Sequence, residues 1–418
     1  MLINPTGGNF NLDGRTVNNA AGQTATWTGS LDDFIEASDG SVFNNLGTFL
    51  VDGLALYEDS NVGAASSFND LGSFITTANT ANVGFNLLFN VPGGSVDVKD
   101  NSQLDLDAGG TVSGAVFNTE SSGDLDLGNY VFDTATTISG SGNLELSAVL
   151  LPGNYTFTGP IYLENGTAQI DSSLAQSSVN LGDAGDTTLS GTGTVGAISG
   201  EGDVSPGDGS QPGILNAQGD VDLVAEDDEG GQADFTVLLN GSTAGTGYSQ
   251  LNASGQVHLD GCDLDASLGF TPANGEQFTI IKSTVPIVGT FAGLPQGDSL
   301  TIDDTPFTIS YVGGDGNDIV LTQANTVAPT VTGINPTSGP AAGGTLVTIT
   351  GTGFTGATAV DFGTTVATNV TVVNNTTITA DSPAGNGVVD VTVVTPSGTS
   401  AASSADQFTS SPRPPSRA

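Results

Sequence analysis

An acid set between two leucines recurs three times in the first half of the chain, as Leu104-Asp105-Leu106, Leu125-Asp126-Leu127 and Leu144-Glu145-Leu146, at spacings of 21 and 19 residues. Alternate residues of an extended strand face opposite ways, so each pair of leucines shares one face and the acid takes the other. If these strands stack in register, Asp105, Asp126 and Glu145 form an outward column with neighbours about 5 Å apart. Like charges directly opposite destabilise a sheet. A hard divalent cation, Ca²⁺ or Mg²⁺, shared between carboxylates relieves them. If the strands are offset, each acid is simply solvated. A second candidate is GGDGNDIVL (313–321), which fits the nonapeptide that holds Ca²⁺ between adjacent turns of a β-roll, with Asp315 and Asp318 as the acids. That mechanism needs tandem copies and the chain has one, so a strand-closing turn is the plainer meaning.

Residues for catalysis are sparse. Glycoside hydrolysis takes two carboxylates about 5 to 9.5 Å apart, and among 45 Asp plus Glu such pairs arise by chance. Proton abstraction asks for a base beside a neutralised carboxylate. Ahead of the C-terminal tail the basic residues are Arg15, Lys99 and Lys282, each isolated. The lone histidine, His258, lies between Val257 and Leu259 and is expected to face solvent, with no His or Cys nearby to share a transition metal. Cys262, the one cysteine, excludes an intrachain disulfide and reads as a small packed residue. Trp27 could stack on a sugar, but reads more readily as core or cap. The chain is therefore expected not to be an enzyme.

The elements that must position these residues are short strands. FNNLGTFLVDG (43–53) recurs as FNDLGSFITTA (68–78), carrying Phe43, Gly47 and Phe49 onto Phe68, Gly72 and Phe74. Units of about 20 to 25 residues cannot bury an apolar face alone, and stacking them gives a solenoid with a continuous interior. No apolar pattern of helical period is sustained. With 37% apolar residues the chain has a core to bury, and its 60 glycines and many Ser, Thr, Asn and Asp residues supply turns. The formal charge of −40 excludes a nucleic-acid partner, since no basic surface exists to displace counterions. It also speaks against anionic lipid, and no apolar run is long enough for membrane insertion as a helix.

GTGTVGAISGEGDVSPGDGSQPGILNAQGDVDL (191–223), the run from Gly247 to Pro295, and YVGGDGNDIVLT (311–322) together resemble the C-terminal coils of autotransporter-type passenger β-solenoids. The resemblance is good over about 190–323 and looser over 20–190. It implies a right-handed parallel β-helix on an exported surface protein, a scaffold without catalytic residues. MLINPTGGNF has neither a basic n-region nor an apolar h-region, so a mature or truncated form, or another export route, is expected.

After QANTVAP (323–329), a short polar linker ending in proline, the pattern changes. Val347, Ile349 and Gly351 alternate with Thr348 and Thr350, and the pairs Val360/Phe362 and Val370/Val372 and the set Val389, Val391 and Val393 continue the alternation between Gly- and Pro-rich turns. About seven short strands are the count of an Ig-like sandwich. The stretch VTGINPTSGPAAGGTLVTITGTGF (331–354), with Ile334, Pro336, Gly343, Gly344, Gly351, Gly353 and Phe354, resembles an IPT/TIG domain. DNA-binding versions of that family use basic loops, and this module has no Lys or Arg between 328 and 412. A docking or spacer role is what remains.

The expected architecture is all-β: solenoid repeats over 1–190, a passenger-like part of the solenoid over 191–323, a linker at 324–328, an IPT/TIG Ig-like domain over 329–410, and a disordered tail at 411–418. The expected role is that of a bacterial extracellular or cell-surface structural or adhesin-like protein. Its partners would be surface or matrix glycans or proteins, with end-to-end homo-assembly into a filament as an alternative. A glycan-binding accessory protein is a rival expectation, and a polysaccharide-degrading β-helix enzyme a weaker one. No cofactor is required beyond a possible Ca²⁺.

Overall fold

In the computed structural model, which describes residues 2–3, 10–28, 34–52, 55–59, 64–78, 82–182, 186–223, 233–259, 261–324 and 327–411, the regular elements are strands throughout. Most of the segment 1–10 and nearly all of the tail at 411–418 lie outside those residues. The chain divides into two units: Met1–Pro272, Gln277–Asp303 and Thr308–Thr322 form the first, and Ala273–Glu276, Asp304–Phe307 and Gln323–Ala418 the second.

The first unit is a parallel β-solenoid. Each coil adds one short strand to each sheet. One sheet runs through Thr24–Trp27, Thr48–Val51, Ser73–Thr76, Ser95–Val98 and Val116–Thr119. A second runs through Val83–Asn86, Gln103–Leu106, Asp124–Gly128 and Asn143–Ser147, and onward to Val257–His258. A third holds Thr16–Asn19, Val42–Asn45, Ser67–Asp70 and Leu88–Pro92. Ile161–Ile170 turns a corner: its first half pairs with Val179–Leu181 and its second half with Thr187–Gly191. The parallel stack closes where Asp318–Gln323 pairs antiparallel with Gln277–Ser283.

The repeat in the sequence is the register of the coils. Phe43 lies opposite Phe68 and Phe49 opposite Phe74. Like side chains stacked at rung spacing form rows: Phe43, Phe68 and Phe89 stack with centroids 5.0 and 5.1 Å apart, and Phe49 meets Phe68 edge-on at 5.3 Å. Offset and edge-on rings suit the aromatic quadrupole. Gly72 is required because a Cβ there would strike the carbonyl oxygen of Gly47 one coil earlier. Beside the phenylalanines an inward polar row forms, with Asn19 Nδ2 donating to Asn45 Oδ1 at 2.7 Å and Asn45 Nδ2 donating to Asp70 Oδ1 at 2.6 Å. All three are buried, and each amide needs its neighbour because water is excluded.

The second unit contains an Ig-like sandwich. Thr330–Asn335, Leu346–Thr352, Thr377–Asp381 and Thr368–Asn374 form one antiparallel sheet. Gln407–Ser411, Gly387–Thr395 and Ala359–Phe362 lead the other. The core between them includes Val347, Ile349, Phe354, Ile378, Val391 and Phe408. A Cβ at Gly351 would strike the Phe354 ring, which is why the motif reads GTGF. One expected alternation fails: Val372 is exposed and Val370 only partly buried. Thr368–Asn374 is an edge strand with two register shifts, and such irregularities break the period-2 pattern.

Candidate functional site

The acid column forms in register, with Asp105 opposite Asp126 and Asp126 opposite Glu145. The same outward position continues through Tyr162, Asn180, Ser199, Asp222 and His258, and Gly84 precedes Asp105. The inward leucines on either side continue as Ile161 and Leu163, then Val179 and Leu181. Carboxylates thus occupy three consecutive rungs, with a glycine on one side and a tyrosine on the other.

A further acid joins through an irregularity. Leu146 pairs with Leu163 but Ser147 pairs with Asn165, so Glu164 is the extra residue of a bulge. Bulges re-aim a side chain. Here the bulge brings one carboxylate oxygen each of Asp126, Glu145 and Glu164 within 4.8 Å of one another. Among the described residues this is the one group of three possible metal ligands, so Glu164 takes the place that the strand repeat reserved for Asp105.

The acids were expected on the solvated face, yet Asp126 is only 6% exposed. It sits mid-column, where the longer Glu145 and the Asp105 carboxylate on adjoining rungs shield it. Glu145 is half-buried and Glu164 exposed. Burial pushes the Asp126 carboxyl well above the usual range, helped by the charges of Asp107, Glu164, Asp105 and Glu145. Burial raises Glu145 to about 7, with Asp124 and Glu164 adding to it. Asp105 and Asp124 are raised as well, chiefly by burial. Oδ1 of Asp105, Asp124 and Asp126 is buried without a hydrogen-bond partner. The ion pairs among the described residues are those of Lys99 with Asp97 and Glu120, so no cationic side chain answers the group. Crowded acids of this kind can hold protons or a hard cation.

The other candidates are dispersed. Asp315 is exposed and helps line a shallow groove of about 350 Å³ with Asn216, Asn252, Lys282 and Thr284. Asp318 is buried, and its Oδ1 accepts from Ser283 N at 3.1 Å. That bond ties the closing strand to the last parallel one, and the three-ligand group contains neither aspartate. His258 is partly exposed on the outer column. Cys262 is buried, and burial pushes its thiol up to about 12. Trp27 is core, fully buried. Glu164 carried no signal in the sequence, because a bulge leaves the strand repeat. Asp124 was visible two residues before Asp126.

An IPT/TIG domain profile matches residues 329–410, the segment that builds the sandwich. Comparison with curated proteins gives no match.

Proposed function

We propose that the chain is a non-catalytic structural protein of adhesin type, acting outside the cell or at its surface in the manner of the autotransporter passengers its solenoid resembles. The IPT/TIG domain serves as its docking or spacer module. The observation that carries this reading is the use made of outward polar side chains. Asn44 Nδ2 donates to Asn18 Oδ1, Asn69 to Asn44 and Asn90 to Asn69, at 2.8, 2.8 and 2.9 Å. Asn118 Nδ2 donates to Asp97 Oδ1 at 2.8 Å, and Ser139 Oγ to Asn118 Oδ1 at 3.2 Å. Ser121 and Ser122 hydroxyls both donate to Asp100 Oδ1. These groups join coil to coil instead of converging on one point, which favours a framework over a catalytic cleft. Surface or matrix glycans or proteins are the partners proposed, and the acidic surface disfavours polyanions.

A second reading, a glycan-binding accessory protein, draws on the groove at Lys282. The exposed Gln218 amide and the Lys282 ammonium there offer hydrogen bonds to sugar hydroxyls. One experiment tests both. The full chain is applied to immobilised glycans and matrix proteins, and its turnover of the same polysaccharides is followed with and without calcium. Retention without turnover is expected. Retention on glycans that is lost in Lys282→Ala moves the reading to the second. Turnover abolished by a single acid substitution refutes both.

A further inference from the structure

We infer that Asp126, Glu145 and Glu164 form a Ca²⁺ site that clamps three successive coils of the solenoid. Their ligand oxygens lie within 4.8 Å of one another. They come from Asp124–Gly128, Asn143–Ser147 and Ile161–Ile170, strands paired in that order. Acid clusters are common on so acidic a chain, and Asp126 is what distinguishes this one. It is more than nine-tenths buried, its Oδ1 is one of the buried oxygens without a donor, and its neighbours along the strand and column, Asp124, Asp105 and Glu145, are all acids. A buried acceptor with no donor is costly, and here the protein supplies none.

The ligand set suits a calcium ion. Ca²⁺ binds carboxylate oxygens at about 2.3–2.6 Å in flexible geometry, so three oxygens that all lie within 4.8 Å of one another can share it. Mg²⁺ demands a near-ideal octahedron at about 2.0–2.1 Å and dehydrates reluctantly, so three carboxylates carried by separate strands suit it less. The exposed Glu164 carboxylate leaves an entrance, and water completes the shell.

The test uses the full chain, stripped with a chelator and titrated calorimetrically with CaCl₂, MgCl₂ and, by luminescence, Tb³⁺. Binding of Ca²⁺ is expected to weaken about tenfold or more in Glu164→Gln and in Asp126→Asn, as expected for loss of one charged ligand. Glu164 is exposed, so its substitution leaves the fold intact. Asp298→Asn, at an exposed acid elsewhere, should bind as the native chain does. Mg²⁺ should bind about tenfold more weakly than Ca²⁺. Tyr162 stands opposite Glu145 on the next strand. Tyrosine-excited Tb³⁺ emission should therefore fall in Tyr162→Phe while calorimetric Ca²⁺ binding persists. The proposal is overturned by absence of binding at millimolar Ca²⁺, by native affinity in Glu164→Gln, or by emission unchanged in Tyr162→Phe.

Discussion

Asp70 ties pH to the stability of the N-terminal coils. It is fully buried, and burial lifts its carboxyl from 3.8 to about 7, against the pull of Asn45 and nearby backbone N–H groups. A folded-state pKa above the unfolded one contributes stability that is complete below pH 3.8 and is lost as pH rises through about 7. A gap of about 3 pH units at about 1.4 kcal/mol per unit makes the swing about 4 kcal/mol. Asp70→Asn keeps an acceptor for Asn45 but has no proton to lose. The assay is urea unfolding of the native chain and the variant at intervals across that window. Every other acid contributes to both chains and cancels in the difference. The stability of the native chain minus that of the variant should fall by about 4 kcal/mol between the two ends. A difference that stays level with pH refutes the reasoning, whatever the absolute stabilities.

Other perturbations follow from the packing. Phe68 touches the rings of Phe43, Phe49, Phe74, Phe85 and Phe89, so Phe68→Ala should cost about 3–5 kcal/mol in urea unfolding. Gly72→Ala drives a Cβ into the Gly47 backbone and should destabilise by about 1–3 kcal/mol or more. By contrast Gly385→Ala, whose nearest neighbour is the Ser410 hydroxyl at 3.7 Å, should change unfolding by about 0.5 kcal/mol or less. Cys262, buried with its thiol pushed up to about 12, should resist thiol reagents in the native chain at neutral pH. It should label at the rate of unfolding, measured by mass spectrometry in rising urea.

Much of the fold was legible because a solenoid writes its register into the sequence. The 25-residue offset from Phe43 to Phe68 is the coil length, and the leucine pairs around Asp105, Asp126 and Glu145 are rungs of one sheet. Alternation likewise exposed the sandwich strands, except at Val372, where an edge strand is free to slip. The acid site was legible in part. Periodicity can find residues that keep the period, and Glu164 enters by breaking it. The burial of Asp126 was also hidden, since alternation says which face a side chain takes and not how closely its column neighbours cover it. The polar row from Asn19 to Asp70 stood in plain view in VNN, FNN and FND. It went unread because asparagine on an inward face makes sense only once each amide has the next coil's acceptor before it.

That row also has a direction. Each inner amide donates toward the C-terminus, and the series stops on Asp70, whose carboxylate above about pH 7 only accepts. The outer amides of Asn90, Asn69 and Asn44 donate the opposite way, and that series ends on Asn18 Oδ1. An asparagine coil duplicated ahead of Asp70 would find both a donor and an acceptor waiting, and one copied after it would meet a terminus. The inner asparagine row can therefore lengthen by whole-coil duplication on the N-terminal side of Asp70 only, and variants that differ in the number of asparagine-bearing coils should differ there.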